Sequence, residues 1–195
     1  MSSAPPAGAA GYLLEVDGLV AGYAQPVVGP VSFRVGRGEV VGLWGANGTG
    51  KSTLINAIGH GARVFAGSIR QAPGLGVTYQ EQVPVRLDGM PLTGRELLRY
   101  ARADRQAPPA SLAPLLGRRL DRLSGGQFQL LCVWSALATG ADLVLLDEPT
   151  NNLDPPSEHL LQEILAAEQG LRAVLVVSHE RDFLHACCSQ VVEIA

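Results

Sequence analysis

The sequence predicts an α/β fold with a parallel-sheet core and a phosphate-binding loop set between a strand and a helix. Three observations predict it. Gly45-Ala46-Asn47-Gly48-Thr49-Gly50-Lys51-Ser52-Thr53 fits G-x-x-x-x-G-K-[ST]. Short apolar runs at 39–44, 142–146 and 173–177 read as strands buried on both faces. Helical patterns alternate with these runs, which is the order a parallel sheet requires.

The elements follow in chain order. Residues 1–11 are rich in Ala, Pro, Ser and Gly and read as a disordered tail without the features of a secretion signal. Residues 13–16 and 31–35 read as strands, joined by turn-rich sequence around Gly22 and Gly29-Pro30. The strand at 39–44 enters the glycine loop, and Leu54 lies in the helix that leaves it. Residues 74–79 read as a further short strand. Residues 83–122 carry most of the arginines and the Pro108-Pro109 break, with helical candidates at 93–102 and 111–120. With the longer helical run at 127–139, this forms a small helical insertion over about 83–139. A strand at 142–146, a helix at 157–168, a strand at 173–177, a helix at 182–188 and a last strand at 191–194 complete the chain. No internal repeat is visible.

At 195 residues and 47% hydrophobic content, the chain suits one domain with an ample core. A net charge of −3 offers no global basic field to nucleic acid. No apolar run approaches the roughly 18–20 residues that span a bilayer. Cys132, Cys187 and Cys188 form no disulfide framework, since adjacent cysteines do not bridge without strain. The vicinal pair could bind soft metal, sense redox state or fill space as small hydrophobes. A reducing, cytoplasmic setting fits this usage.

The chemistry follows from two places. In the glycine loop, backbone N–H groups can point inward at phosphates, and the helix N-terminus adds partial positive charge. Lys51 supplies a full charge for β/γ-phosphates, and the Ser52 hydroxyl can ligate Mg²⁺. The run at 143–146 ends in Asp147-Glu148. Ligand chemistry in open α/β sheets sits at the carboxyl ends of strands, so Asp147 should emerge beside the loop and hold a metal. Glu148 should polarise an attacking water.

Leu123-Ser124-Gly125-Gly126-Gln127 places a serine and two glycines immediately before a long helix, a second anion-binding N-terminus. With the phosphate loop upstream and Asp147-Glu148 downstream, the chain resembles the ATP-binding-cassette (ABC) ATPase family over residues 13–195. The resemblance implies a P-loop NTPase fold within 12–195: an N-terminal antiparallel β-subdomain, a parallel-sheet core and a small inserted α-helical subdomain. It implies ATP and Mg²⁺ as ligands, with Lys51, Glu148 and His179 as catalytic residues. His179 resembles the switch histidine that contacts the γ-phosphate. Tyr23 resembles the aromatic that stacks on adenine. Gly45, Ala46, Asn47, Gly48, Thr49, Gly50, Lys51, Ser52 and Thr53 would cradle the phosphates. Ser52, Gln80 and Asp147 would form the Mg²⁺ site, with Gln82 as a rival to Gln80. Ser124, Gly125, Gly126 and Gln127 would cap the nucleotide of a partner cassette. Asn151-Asn152-Leu153-Asp154 resembles the loop that communicates between paired cassettes, so Asp154 joins the nucleotide set.

The family pattern is not followed everywhere. Phe128, Leu130 and Ser135 stand where basic residues are common in the helix after Gln127, and Trp134 is nearby. That helix either packs more deeply than usual or touches a partner. Trp44 and Ala46 stand where a small apolar residue and Pro are common; neither blocks phosphate binding.

The resemblance implies a second cassette, as a homodimer, sandwiching two ATP molecules. It further implies a separate transmembrane permease, a periplasmic solute-binding protein for an importer, and a cytoplasmic position on the inner face of the membrane. No nucleic acid is expected. Pro91-Leu92-Thr93-Gly94-Arg95-Glu96-Leu97-Leu98 resembles the zinc/manganese importer branch. The alternative is a soluble non-transport protein of the ribosome-associated translation-factor branch. The segments 147–154 and 178–184 resemble that branch, although it pairs two cassettes on one chain and a single cassette is present here. No C-terminal regulatory extension is expected after residues 191–195.

Overall fold

A computed structural model of the protein describes residues 11–81 and 91–194. Its elements are β1 (Tyr12–Gly22), β2 (Pro26–Gly36), β3 (Val40–Trp44), α1 (Lys51–Ile58), β4 (Arg63–Gln71), β5 (Val77–Gln80) and α2 (Gly94–Tyr100). There follow α3 (Gly125–Leu137), β6 (Leu143–Asp147), α4 (Pro155–Glu168), β7 (Ala173–Ser178), α5 (Arg181–Cys187) and β8 (Gln190–Glu193). Most of the expected tail, the rival glutamine Gln82 and residues 83–90 of the expected insertion lie outside the described residues.

The apolar runs pair in parallel as the order β5-β6-β7-β3-β8. Side chains alternate across a strand, so each run feeds two cores. Val41, Leu43, Leu143, Leu145, Leu175 and Val177 pack with α1 and the antiparallel sheet. Val40, Val144, Leu146, Val174 and Val176 pack with the helices of the opposite face. Burial on both faces is why these strands read as continuous apolar runs.

The antiparallel sheet has the order β2-β1-β4. It confirms the expected N-terminal β-subdomain and adds β4, which the sequence reading did not place. Arg63, Gly67 and Arg70 interrupt any apolar alternation there, and the strand is mostly exposed or half-buried. Gly67 lies at φ +76°, where a Cβ would stand 2.3 Å from the Gly18 carbonyl oxygen. The strands approach so closely there that only glycine fits.

Residues 111–120, expected as a helix, form instead short 3₁₀ turns at Ala113–Leu115 and Leu120–Arg122. Pro114 has no N–H to continue a ladder, and Gly117 follows. The apolar spacing came from Leu112, Leu115 and Leu120 reaching the core from turns. The other candidate begins at Thr93, whose side chain caps α2 in a reciprocal box with Glu96. The apolar α3 resolves as packing: Phe128, Leu130 and Trp134 are buried in the core beneath the parallel sheet. Ser135 turns its hydroxyl onto the Cys132 carbonyl at 2.7 Å.

Gly38 turns the chain from β2 into β3 at φ +71°, and a Cβ there would stand 2.9 Å from Gly170 Cα. The Gly170 N–H donates to the Gly38 carbonyl at 2.8 Å. Gly38→Ala is expected to lower stability by about 1–3 kcal/mol through left-handed strain and this contact. A urea titration checks it; an unchanged midpoint would show that the turn relaxes freely.

Candidate functional site

Four parallel strands end on one line. Trp44 of β3 is in register with Ser178 of β7, Asp147 of β6 with Val177, and Gln80 of β5 with Leu146. Everything the sequence assigned to the loop and to residues 147–148 and 179 therefore emerges from one sheet edge.

Gly45 to Gly50 form the loop after β3. Gly48 and Gly50 have φ +87° and +88°, the left-handed region that favours glycine. At Gly50 a Cβ would also meet Val28 Cβ at 2.7 Å. Thr49 closes the loop on itself, its hydroxyl donating to the Ala46 carbonyl at 2.9 Å. Lys51 opens α1 and turns back over the loop. Its Nζ donates to the carbonyls of Gly45 at 2.9 Å and Ala46 at 3.0 Å.

Lys51 also makes an ion pair with Glu148 Oε1 at 3.1 Å, both side chains being about 5% exposed. Glu148 Oε2 lies 2.8 Å from His179 Nδ1 and accepts from the His179 backbone N–H at 3.3 Å. One buried carboxylate thus joins the loop lysine to the histidine after β7. Glu148 holds a left-handed backbone, φ +46°, with its N–H donating to the Val177 carbonyl at 2.9 Å. Such a conformation is strained for a residue with a side chain, and strain of this kind clusters at functional sites.

Asp147 is 2% exposed. Its Oδ2 accepts from the Tyr79 hydroxyl at 3.2 Å, while Oδ1 has no hydrogen-bond partner among the described residues. Burial raises its pKa, opposed by hydrogen bonds from Ser52 and Tyr79; Glu148 pushes it further up and Lys51 down. The buried Gln80 donates its Nε2 to the Glu81 carbonyl and leaves Oε1 without a partner among the described residues. Two orphaned buried oxygens and a hydroxyl at one strand edge form a hard oxygen donor set that suits Mg²⁺. The residues present therefore fit the metal that the sequence implied.

Tyr79 was missed in the sequence. Its signal was alternation: it shares a face with Leu145 through the β5–β6 register, which directs it toward Asp147 two residues on. Burial and the adjacent Asp147 carboxylate push the Tyr79 phenol pKa up, so it remains a donor.

Tyr23 is exposed and accepts from Asn56 Nδ2 at 3.0 Å, which leans it toward α1. Ser124 caps α3 by accepting from the Gln127 N–H at 3.2 Å, and Gln127 Oε1 accepts from the Ser124 N–H at 3.2 Å. Gly126 packs on the start of α4, where a Cβ would meet Ser157 Oγ at 3.1 Å. Asp154 caps α4 by accepting from the Ser157 N–H, and the Ser157 hydroxyl foremost, with that N–H, holds its carboxyl below the usual range. Among the described residues, no hydrogen bond or ion pair joins Ser124–Gln127 or Asp154 to the Lys51–Glu148–His179 group. The structure brings the second group together with itself and apart from the first.

The sequence profile of the ABC transporter family matches residues 28–151. A zinc import ATP-binding protein of Paracoccus denitrificans is 38% identical over 168 residues, covering 80% of this chain and 64% of that protein. One of the same name from Cereibacter sphaeroides is 36% identical over 179 residues, covering 85% and 72%. A solved ATP binding subunit of an ABC transporter superposes with a TM-score of 0.73 at 30% identity, covering 93% of this chain and 85% of the other.

Proposed function

The chain belongs to the ABC transporter family, and from this premise we propose that it is the ATP-hydrolysing subunit of a metal-ion importer, with zinc as cargo. The observation that carries the ATPase reading is the buried Lys51–Glu148–His179 group beside an Asp147 oxygen that has no partner among the described residues. Identity to zinc import ATP-binding proteins supports the cargo and favours transport over the soluble translation-factor alternative.

Lys51 exchanges Glu148 for the β/γ-phosphate oxygens when nucleotide enters, since both sets compete for one ammonium group. Glu148, released from Lys51, orients the attacking water and takes its proton. His179 holds Glu148 through Nδ1, and its ring, 37% exposed, is placed to meet the γ-phosphate. Bound Mg²⁺ supplies neutralisation of phosphate charge, with Ser52, Gln80 and Asp147 as the residues that would hold it. Tyr23 stacks on the adenine.

A second copy completes each site. The exposed Ser124 and Gly125 of one cassette close over nucleotide on the other, excluding water from it, with Asp154 nearby on the same face. Residues 12–195 act as one ATPase unit, and the helices within about 83–139 form its inserted lobe. Among the described residues no helix is long and apolar enough to cross a membrane. A separate permease supplies the path, holding the cassette on the cytoplasmic face, and a periplasmic solute-binding protein delivers the metal.

The test is coexpression and copurification with the permease of a zinc importer, followed by an ATPase assay in vesicles. Zinc presented with the binding protein is expected to stimulate phosphate release. Activity indifferent to zinc, manganese and every other divalent metal would overturn the cargo assignment. Tyr79→Phe is expected to weaken Mg²⁺-dependent ATP binding severalfold, as loss of one hydrogen bond of about 1 kcal/mol predicts, and to leave binding in EDTA unchanged. Calorimetry with and without Mg²⁺ checks it.

A further inference from the structure

We infer that Trp44 is a positioning residue for His179. The inference rests on the ATPase reading above and extends it to a residue outside the family pattern. Trp44 is the last residue of β3, in register with Ser178, and the chain leaves it directly for Gly45. Its indole Nε1 donates to the His179 carbonyl at 3.2 Å. On the ring face, the Arg181 guanidinium carbon lies 5.1 Å from the centroid, within cation–π range. One side chain therefore grips the residues on both sides of Glu180, in the loop that carries His179 from β7 into α5.

Glu148 holds the same histidine from the other side, at its ring Nδ1 and its N–H. His179 is thus fixed at three points: N–H, carbonyl and ring. An aliphatic residue at position 44 offers no donor and no ring face, so two of the contacts to this loop exist only because the residue is Trp. The same residue precedes Gly45, whose carbonyl accepts from Lys51. Movement of the phosphate loop is thereby transmitted to the histidine through a rigid aromatic side chain. The indole acts through His179.

Trp44→Phe keeps a ring face and removes the donor. It is expected to lower kcat roughly five- to tenfold, the loss of one hydrogen bond to a working loop, with KM for ATP within about twofold. In a His179→Ala background the same substitution is expected to change kcat no further, because the residue it positions is gone. Arg181→Met, at an exposed position, should show a smaller loss with the same dependence on His179, and covers the case in which Trp44→Phe folds poorly. The chain has two tryptophans, Trp44 and Trp134. A ¹H–¹⁵N spectrum should show two indole signals, of which Trp44's moves on adding a non-hydrolysable ATP analogue and moves less with ADP. An unchanged kcat, a full additive loss in the His179→Ala background, or an indole signal indifferent to the γ-phosphate would overturn the inference. A wild-type chain that hydrolyses no ATP would instead overturn the reading beneath it.

Discussion

Glu148→Gln is expected to lower ATP turnover at least about a hundredfold, the lower end for losing a general base, while ATP binding survives. Glutamine keeps the size of the buried side chain and can still accept from the His179 N–H. It cannot take a proton from water, and it carries no charge for Lys51. In the structure that charge pairs with Lys51 at 3.1 Å. Neutralising it removes the competitor that phosphate must displace, so affinity should hold or rise. Dimerisation with bound ATP should also outlast the wild-type complex, because nothing consumes the bridging nucleotide. Steady-state phosphate release, calorimetry and size-exclusion chromatography read these three quantities. Full turnover by the variant would remove Glu148 from proton transfer and leave it only a structural partner of Lys51.

Lys51→Ala should act in the opposite way and abolish tight nucleotide binding. Its ammonium group is buried against two loop carbonyls and a carboxylate. Removing one partner of a buried ion pair typically costs about 3–5 kcal/mol, so Glu148 loses its compensation and the nucleotide-free protein should also melt at lower temperature. Affinity should fall by about two orders of magnitude or more, the equivalent of roughly 3 kcal/mol. Calorimetry showing unchanged affinity in Lys51→Ala would refute the role given to this residue.

The parts of the fold legible in the sequence are those where local pattern and tertiary burial agree. The runs now seen as β3, β6 and β7 are apolar up to their carboxyl ends because both faces are covered, and the turn residues around them mark them as strands. The loop at Gly45–Ser52 was legible because its backbone demands glycine, and the carboxylates at 147–148 because two acids closing an apolar strand stand where open α/β sheets place their ligand chemistry. What was not legible was set by distant contacts. β4 is a strand because β1 pairs with it, not because of its own polar, glycine-containing sequence. The turns at 113–122 bury leucines at helical spacing without forming an α-helix. Tyr79 and Trp44 found their partners through strand register, 68 and 135 residues away in sequence.

Glu148 also sets a limit on how this enzyme can be improved. Its peptide unit sits where glycine or asparagine would rest more easily, so replacing it with either would relax the chain and remove the base in one step. Selection for heat tolerance alone would drift toward an inert protein at this residue, and only a screen that also demands turnover would retain the acid.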